Sequence, residues 1–270
     1  MKTILITGAS SGIGRETAKL FQSQGWNVIA TMRNPAGETE LNILENTFVT
    51  KLDVTDLASI DHAVNEGIAK FGRIDVLVNN AGYGAFGILE SFSREQIVRQ
   101  FNTNVIGLLD VTKTLLPHFR ANKGGIIINI SSTGGKMAFP LGTLYHGTKF
   151  AVEGISESLN YEAEQFGGKV KIVEPGAIAT DFTGRSLDFS NDESIAEYQP
   201  IVDKVIETVG TMFAQASPAS VVAGIIYQAA TDGTDQLRYI AGDDAKAIIA
   251  QRQHLDDSTF IGGMKAQFKL

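Results

Sequence analysis

The stretch LYHGTKF places Tyr145 and Lys149 four residues apart. On a helix, positions i and i+4 share a face, so the lysine ammonium can lie beside the phenol. A free phenol has a pKa of about 10 and ionises little at neutral pH. A neighbouring cation favours the phenolate and brings the group toward a pKa useful for proton transfer. Taken alone, the pair reads as helix-surface decoration. Chemistry would need a further polar partner and a bound reagent. His146 points about 100° around the helix from Tyr145 and reads as structural. His62, His118 and His254 are isolated, without metal-ligand spacing, and no metal site is expected. The Asp243–Asp244 pair reads as a turn and helix cap.

A reagent site is suggested at the start of the chain, in TGASSGIG over residues 7–14. Glycines at Gly8, Gly12 and Gly14 let the backbone turn sharply and approach a ligand closely. A following helix would offer unpaired N–H groups and a positive dipole end, which suits a pyrophosphate. The spacing differs from G-x-G-x-x-G, and no Lys-Ser/Thr follows as in a P-loop, so phosphoryl transfer is not expected. An NAD site usually has an acid near the end of the second strand. Here the run is VIATMRN, with Arg33 and no acid. A guanidinium can pair bidentately with a 2′-phosphate, which favours NADP(H) over NAD(H). Glu38 and Glu40 read as ordinary surface charges.

These groups need a scaffold. Strand-like runs fall at 2–7, 26–31, 48–54, 74–80, 125–131, 169–175 and 237–241. Helical stretches fall at about 12–24, 56–70, 93–121, 144–166 and 218–231. Several strands are continuously apolar, as in a parallel sheet covered on both faces. The alternation implies one α/β domain over residues 1–270, with a doubly wound parallel sheet of about seven strands. Residues 181–216 break the rhythm with scattered aromatics and read as a substrate lid. Residues 242–270 read as a C-terminal tail.

Composition narrows the function classes. The chain has 270 residues, 43% of them hydrophobic and 20% charged, enough for a sizeable core. A net charge of -7 without a basic run argues against nucleic-acid or membrane-surface binding. There is no cysteine, so thiol chemistry is excluded and a reducing cytoplasm is compatible. The first apolar run is too short for a signal-peptide core, and no run approaches the roughly 20 apolar residues of a membrane span.

In this order, the motifs resemble the short-chain dehydrogenase/reductase family over nearly the whole chain. TGASSGIG resembles its cofactor loop, carrying Ser10, Ser11 and Ile13 between the glycines. Asp53 and Val54 in LDVTD resemble the adenine-binding position, and Asn80, Ala81 and Gly82 in NNAG the motif beside the cofactor. Asn104 in NTNVIG resembles the family's helix asparagine. Ser132 in NISSTGG stands at the family's interval before Tyr145, and YHGTK is similar to its Y-x-x-x-K pair. PGAIAT, with Pro175, Gly176, Ile178 and Thr180, resembles the nicotinamide loop. The motif style is similar to hydroxysteroid and retinol dehydrogenases and to bacterial carbonyl reductases. Gly147 replaces the usual Ala or Ser, and Ser11 stands where some NADP(H) members carry Arg.

The resemblance implies a Tyr145/Lys149/Ser132/Asn104 site. Tyr145 would act as the acid, and Lys149 would tune it and hold the nicotinamide ribose. Ser132 would bind the substrate oxygen, and Asn104 would fix a water. It also implies a homodimer or homotetramer built on the helices at about 101–121 and 144–166. Phe86, Phe139, Leu141, Phe182 and Leu187 suggest an apolar pocket for a hydrophobic ketone, aldehyde or secondary alcohol, with reduction the expected direction. Three alternatives stay open: an NAD(H)-dependent alcohol or hydroxysteroid dehydrogenase acting in oxidation, a non-catalytic NADP(H) sensor or scaffold, and an epimerase or dehydratase.

Overall fold

A computed structural model of the chain describes residues 1–181 and 184–270. The chain opens with β1 (Thr3–Ile6), α1 (Gly12–Ser23), β2 (Asn27–Met32), β3 (Thr47–Lys51), α2 (Leu57–Phe71) and β4 (Val76–Asn79). A short strand β5 (Gly84–Gly87) precedes α3 (Arg94–Phe101), a π-turn over Asn102–Ile106, and α4 (Gly107–Ala121). Then come β6 (Gly125–Ile130), α5 (Thr143–Glu164), β7 (Gly168–Pro175), β8 (Ile178–Ala179), β9 (Leu187–Ser190) and α6 (Gln199–Phe213). The last elements are β10 (Ser217–Pro218), α7 (Ala219–Thr231), β11 (Arg238–Ala241), α8 (Asp243–His254) and α9 (Asp257–Gln267).

Seven strands form one parallel sheet in the order β3-β2-β1-β4-β6-β7-β11. The sequence expectation of a doubly wound sheet holds. Side chains alternate across each strand, so β1 feeds both cores. Ile4 and Ile6 pack with Phe21, Val222 and Ile226 from α1 and α7. Leu5 faces the other way, with Val64, Val111, Leu115 and Phe119 from α2 and α4. Burying each such side chain contributes about 1.5–3 kcal/mol, which fixes the sheet between its helical layers. Strand order reverses between β1 and β4, the topological switch point where such folds open a crevice.

Departures from the sequence reading have local causes. The third strand ends at Lys51 rather than 54, because Asp53 Oδ1 turns the chain by accepting from Thr55 N at 2.9 Å. Asp56 then caps α2 through Ala58 N and Ser59 N. The helical path over 93–121 starts at a Ser93–Gln96 capping box, but a π-turn divides it around Asn104. The 181–216 segment contributes β9, which pairs in parallel with β5, and then α6. The tail is no loose end. Phe260, Met264 and the fully buried Phe268 pack with Met137 and Val205. Among the described residues, no helix is long and apolar enough to cross a membrane.

Candidate active site

At the end of β1 the backbone enters the left-handed region at Gly8 (φ +70°) and Gly12 (φ +52°), where a side chain would be strained. Gly14 is needed for a different reason: a Cβ there would lie 2.6 Å from Asn80 Nδ2 and 3.0 Å from Ala9 Cα. Asn80 braces the loop from below, donating to Thr7 O (2.9 Å) and Gly8 O (3.1 Å). The amides of Asn80 and Ala81 both donate to Thr7 Oγ1 at 3.0 Å. Gly82 lies close enough to Asn104 that a Cβ would meet its Oδ1 at 3.0 Å. Ser11 enters α1 without a side-chain cap bond, so the turn from Ser10 through Ile13 presents its amides at the positive end of the helix. Thr180 closes the other side, where a Cβ on Gly12 would come within 3.1 Å of its Cγ2. This donor set fits a dinucleotide pyrophosphate.

The loop from Pro175 to Thr180, with Ile178 buried, is held by a residue the sequence reading misplaced. Asp244 Oδ2 accepts from Ala177 N at 2.7 Å and fills the space beside Gly176. Asp244 is therefore a brace rather than a helix cap, and α8 starts at Asp243 behind Gly242, without a side-chain cap. Asp243 is exposed and pairs with Lys246.

The cations near the loop are unequal. Arg15 is taken up by Glu38 and Glu40, and Lys19 pairs with Glu40 at 2.6 Å. Glu38 is not the surface charge expected. It is buried, and its Oε1 accepts from Glu40 N and Leu41 N, both at 2.9 Å. Arg33, exposed just beyond β2, has no ion-pair or hydrogen-bond partner among the described residues. Arg185 reaches in from the 181–216 segment to donate to Ser11 Oγ, a second guanidinium the sequence reading missed. Asp53 and Val54 follow β3, with Val54 packed so tightly on Gly107 that a Cβ there would overlap it.

Ser132 follows β6, while Tyr145 and Lys149 stand on the first turns of α5. Ser132 Oγ accepts from Gly134 N at 3.0 Å and lies 3.5 Å from Pro175 O. Burial pushes the Tyr145 phenol above its ordinary value, and a hydrogen bond from Ser132 acts against this. Lys149 Nζ donates to Ile130 O at 2.9 Å and sits 5.7 Å from the centre of the Tyr145 ring. Burial pulls the ammonium down to about 8, opposed by the Glu153 charge. Burial, and not a charge on Lys149, sets the direction of the phenol's shift. Asn104 is buried, and its side chain is occupied: Nδ2 donates to Tyr83 O (2.9 Å) and Thr148 Oγ1 (3.2 Å), and Oδ1 accepts from Tyr83 N (3.1 Å). It ties the segment after β4 to α5.

His146 is buried and structural, as the sequence suggested. Its Nδ1 lies 3.0 Å from Gly134 O, and its Nε2 accepts from Phe139 N at 3.2 Å. Only the neutral tautomer with hydrogen on Nδ1 satisfies both. Burial lowers its pKa to about 4.

An aromatic series leads away from Tyr145. Phe86 lies 5.0 Å from its ring and stacks on Phe139 at 5.8 Å and 6°. Phe139 stacks in turn on Phe268 at 6.0 Å. Leu141 takes a left-handed backbone (φ +65°), and its carbonyl accepts from Gly87 N. Leu187 is half-buried on β9, opposite Gly84. Phe182 lies outside the described residues. Phe268 joins the series although its position near the chain's end did not single it out.

Comparison with known proteins agrees with this geometry. Residues 2–190 match the family model described as short chain dehydrogenase. An uncharacterised oxidoreductase of Schizosaccharomyces pombe is 47% identical over 239 residues, covering 88% of this chain and all of that protein. A 3-ketodihydrosphingosine reductase of Bacteroides thetaiotaomicron is 44% identical over 180 residues, 67% of this chain and 65% of the relative. A short-chain dehydrogenase from Streptomyces avermitilis superposes with a TM-score of 0.83 at 33% identity, over 99% of this chain and 96% of the other. Structures of this fold have been solved with NAD and with NADP bound. With its seven-stranded parallel sheet and glycine loop at the switch point, the chain belongs to the short-chain dehydrogenase/reductase family of oxidoreductases.

Proposed function

We propose that the protein is an NADP(H)-dependent carbonyl reductase that converts a hydrophobic ketone or aldehyde to an alcohol, reversibly. The observation that carries this reading is the meeting of Ser132, Tyr145 and Lys149 next to Phe86, with Ser132 3.5 Å from Pro175 O in the loop whose Thr180 packs on Gly12. A nicotinamide dinucleotide bound on that loop supplies the hydride.

The chain's own residues supply position and protons. Ser132 holds the carbonyl oxygen by a hydrogen bond. As negative charge builds on that oxygen, the Tyr145 hydroxyl donates its proton to it. The Lys149 ammonium stabilises the phenolate left behind. A phenol raised by burial stays protonated at neutral pH, which suits the reductive direction. Asn104 fixes the wall beside the site through Tyr83 and Thr148. The amides of Ser10 through Gly14 receive the pyrophosphate, Asp53 faces the adenine end, and Arg33 pairs with a 2′-phosphate. Arg33 is suited to this because Glu38 and Glu40 already neutralise Arg15 and Lys19. The apolar series favours substrates without charge near the reacting carbon. An acidic, cysteine-free chain suits the cytoplasm, and exposed Ile106, Phe150 and Tyr161 suit a homodimer or homotetramer through α4 and α5.

The test is a fluorescence titration of NADPH and NADH into wild type, Tyr145→Phe and Arg33→Ala, followed by turnover on apolar and charged carbonyls. Tyr145→Phe is expected to bind NADPH as wild type does and to lose about 10²–10⁴ in kcat, the usual contribution of a general acid. Arg33→Ala is expected to weaken NADPH and spare NADH. Equal turnover in wild type and Tyr145→Phe would refute the mechanism, and a preference for charged substrates would refute the pocket.

A further inference from the structure

Buried polar atoms without a hydrogen-bond partner gather behind Lys149. Among the described residues, the buried side-chain oxygens in that state are Asn79 Oδ1, Ser131 Oγ, Glu153 Oε1 and Glu174 Oε1. The last three belong to one cluster. Glu153 lies one helical turn beyond Lys149 on α5, and Glu174 stands just before Pro175 at the end of β7. They are 5% and 1% exposed. The segment after Ser132 presses onto them: a Cβ on Gly135 would lie 2.6 Å from Ser131 Oγ, 3.0 Å from Glu153 Cγ and 3.0 Å from Lys149 O.

The facing charges do not balance two buried carboxylates. Arg238 Nε is 3.0 Å from Glu153 Oε2 and 3.6 Å from Glu174 Oε1, and its Nη2 is committed to Glu157 at 2.7 Å. Lys136 Nζ is 4.0 Å from Glu153 Oε2. Lys149 faces the cluster from the active-site side, but its amine is directed to Ile130 O. One guanidinium is thus divided among three carboxylates. Adjacent buried carboxyl groups in this situation retain a proton between them, because two like charges so close cannot both form cheaply. That proton supplies a donor where oxygens otherwise lack one.

We propose that Glu153 and Glu174 share one proton and, as a singly charged pair, act as positioning residues for Lys149 and for the Ser131–Gly135 segment. The assignment rests on the catalytic role given to Lys149 under Proposed function. The remaining charge on Glu153 opposes the desolvation that lowers the Lys149 pKa. Burial, and then the Glu153 charge, pushes Glu174 up to about 7 from an ordinary 4.5. The sign of the stability effect follows. Between those values the folded chain keeps a proton that the unfolded chain releases. The pair's contribution is full below the unfolded value and is lost as pH rises through the folded one.

Glu174→Gln replaces the shared proton by permanent N–H donors. Thermal melts between about pH 5 and pH 8 are expected to show a wild-type midpoint that falls with pH more steeply than that of Glu174→Gln. The infrared band of a protonated carboxyl, present in wild type near pH 6, is expected to be missing from the variant. Equal pH slopes and an unchanged band would overturn the shared proton. Should Glu174→Gln fail to fold, the pH-difference infrared spectrum of wild type reads the same titration, and no carboxyl band lost between about pH 6 and pH 8 overturns it. Glu153→Gln is expected to move the alkaline limb of kcat/KM about one unit toward acid, as loss of a nearby opposite charge should, with unchanged NADPH affinity. A limb that stays in place overturns the link to Lys149. A wild type inert toward every carbonyl would instead refute the proposed function, leaving the melts and infrared spectra to judge the pair.

Discussion

His146 shows how much a residue beside the reacting groups can do without touching substrate. Its ring ties Gly134 O, two residues past Ser132, to Phe139 N in the aromatic series. Both partners then depend on α5 for their position. In His146→Leu these two backbone groups lose their partner, at about 1–3 kcal/mol for each buried group left unsatisfied. We expect a lower melting temperature and a raised KM for the carbonyl, with NADPH affinity unchanged; an unaltered KM would reduce His146 to packing alone. Because burial holds its pKa at about 4, its protonation should leave no mark on activity near neutral pH. The Tyr145–Lys149 pair was legible because both residues lie on one helix at a spacing with a physical meaning. Asp244 and Glu38 were not, since each works by accepting main-chain N–H groups, and nothing in an acidic residue's type says which amide it will face.

The sheet strands could be read because continuous apolar runs have few other uses, and most helices because their turns carry caps such as Asp56 and Ser93. The pairing of β5 with β9 could not, since each is four residues long and the partners are about a hundred residues apart. α9 is an intermediate case. Phe260, Met264 and Phe268 form an i, i+4, i+8 stripe, but the Gly262–Gly263 pair weakens the helical signal. Its weight is testable. Phe268→Ala empties a fully buried aromatic site against Phe139 and should cost about 3–5 kcal/mol. The melting temperature should fall, and KM for an apolar carbonyl should rise more than that for a small one. A pocket insensitive to this change would mean that α9 supports the fold without shaping the substrate site.

The molecule as a whole carries a net charge of -7, and among the described residues three of its exposed large apolar side chains stand on the π-turn and α5. Ile106, Phe150 and Tyr161 are 47%, 49% and 66% exposed along the π-turn and α5. Exposed apolar side chains here suit the proposed homo-oligomer, which is open to test. Light scattering on a sizing column is expected to give a mass that is a multiple of 29.0 kDa, and Phe150→Glu to lower it. A monomeric wild type would dismiss the interface. The π-turn beside this face also sets a phase. α3 and α4 follow one path, yet the widened turn places them out of step. Gln100, before it, donates to Tyr83 O and accepts from Ala85 N, while Val111 and Leu115, after it, stay on the sheet. Deleting Ile106 would restore regular pitch and swing Gln100 and Asn104 by about 100° relative to α4. The loop after β4 would lose its anchors although no anchoring side chain had been changed. For this helix, length is as much a part of the site's specification as residue type.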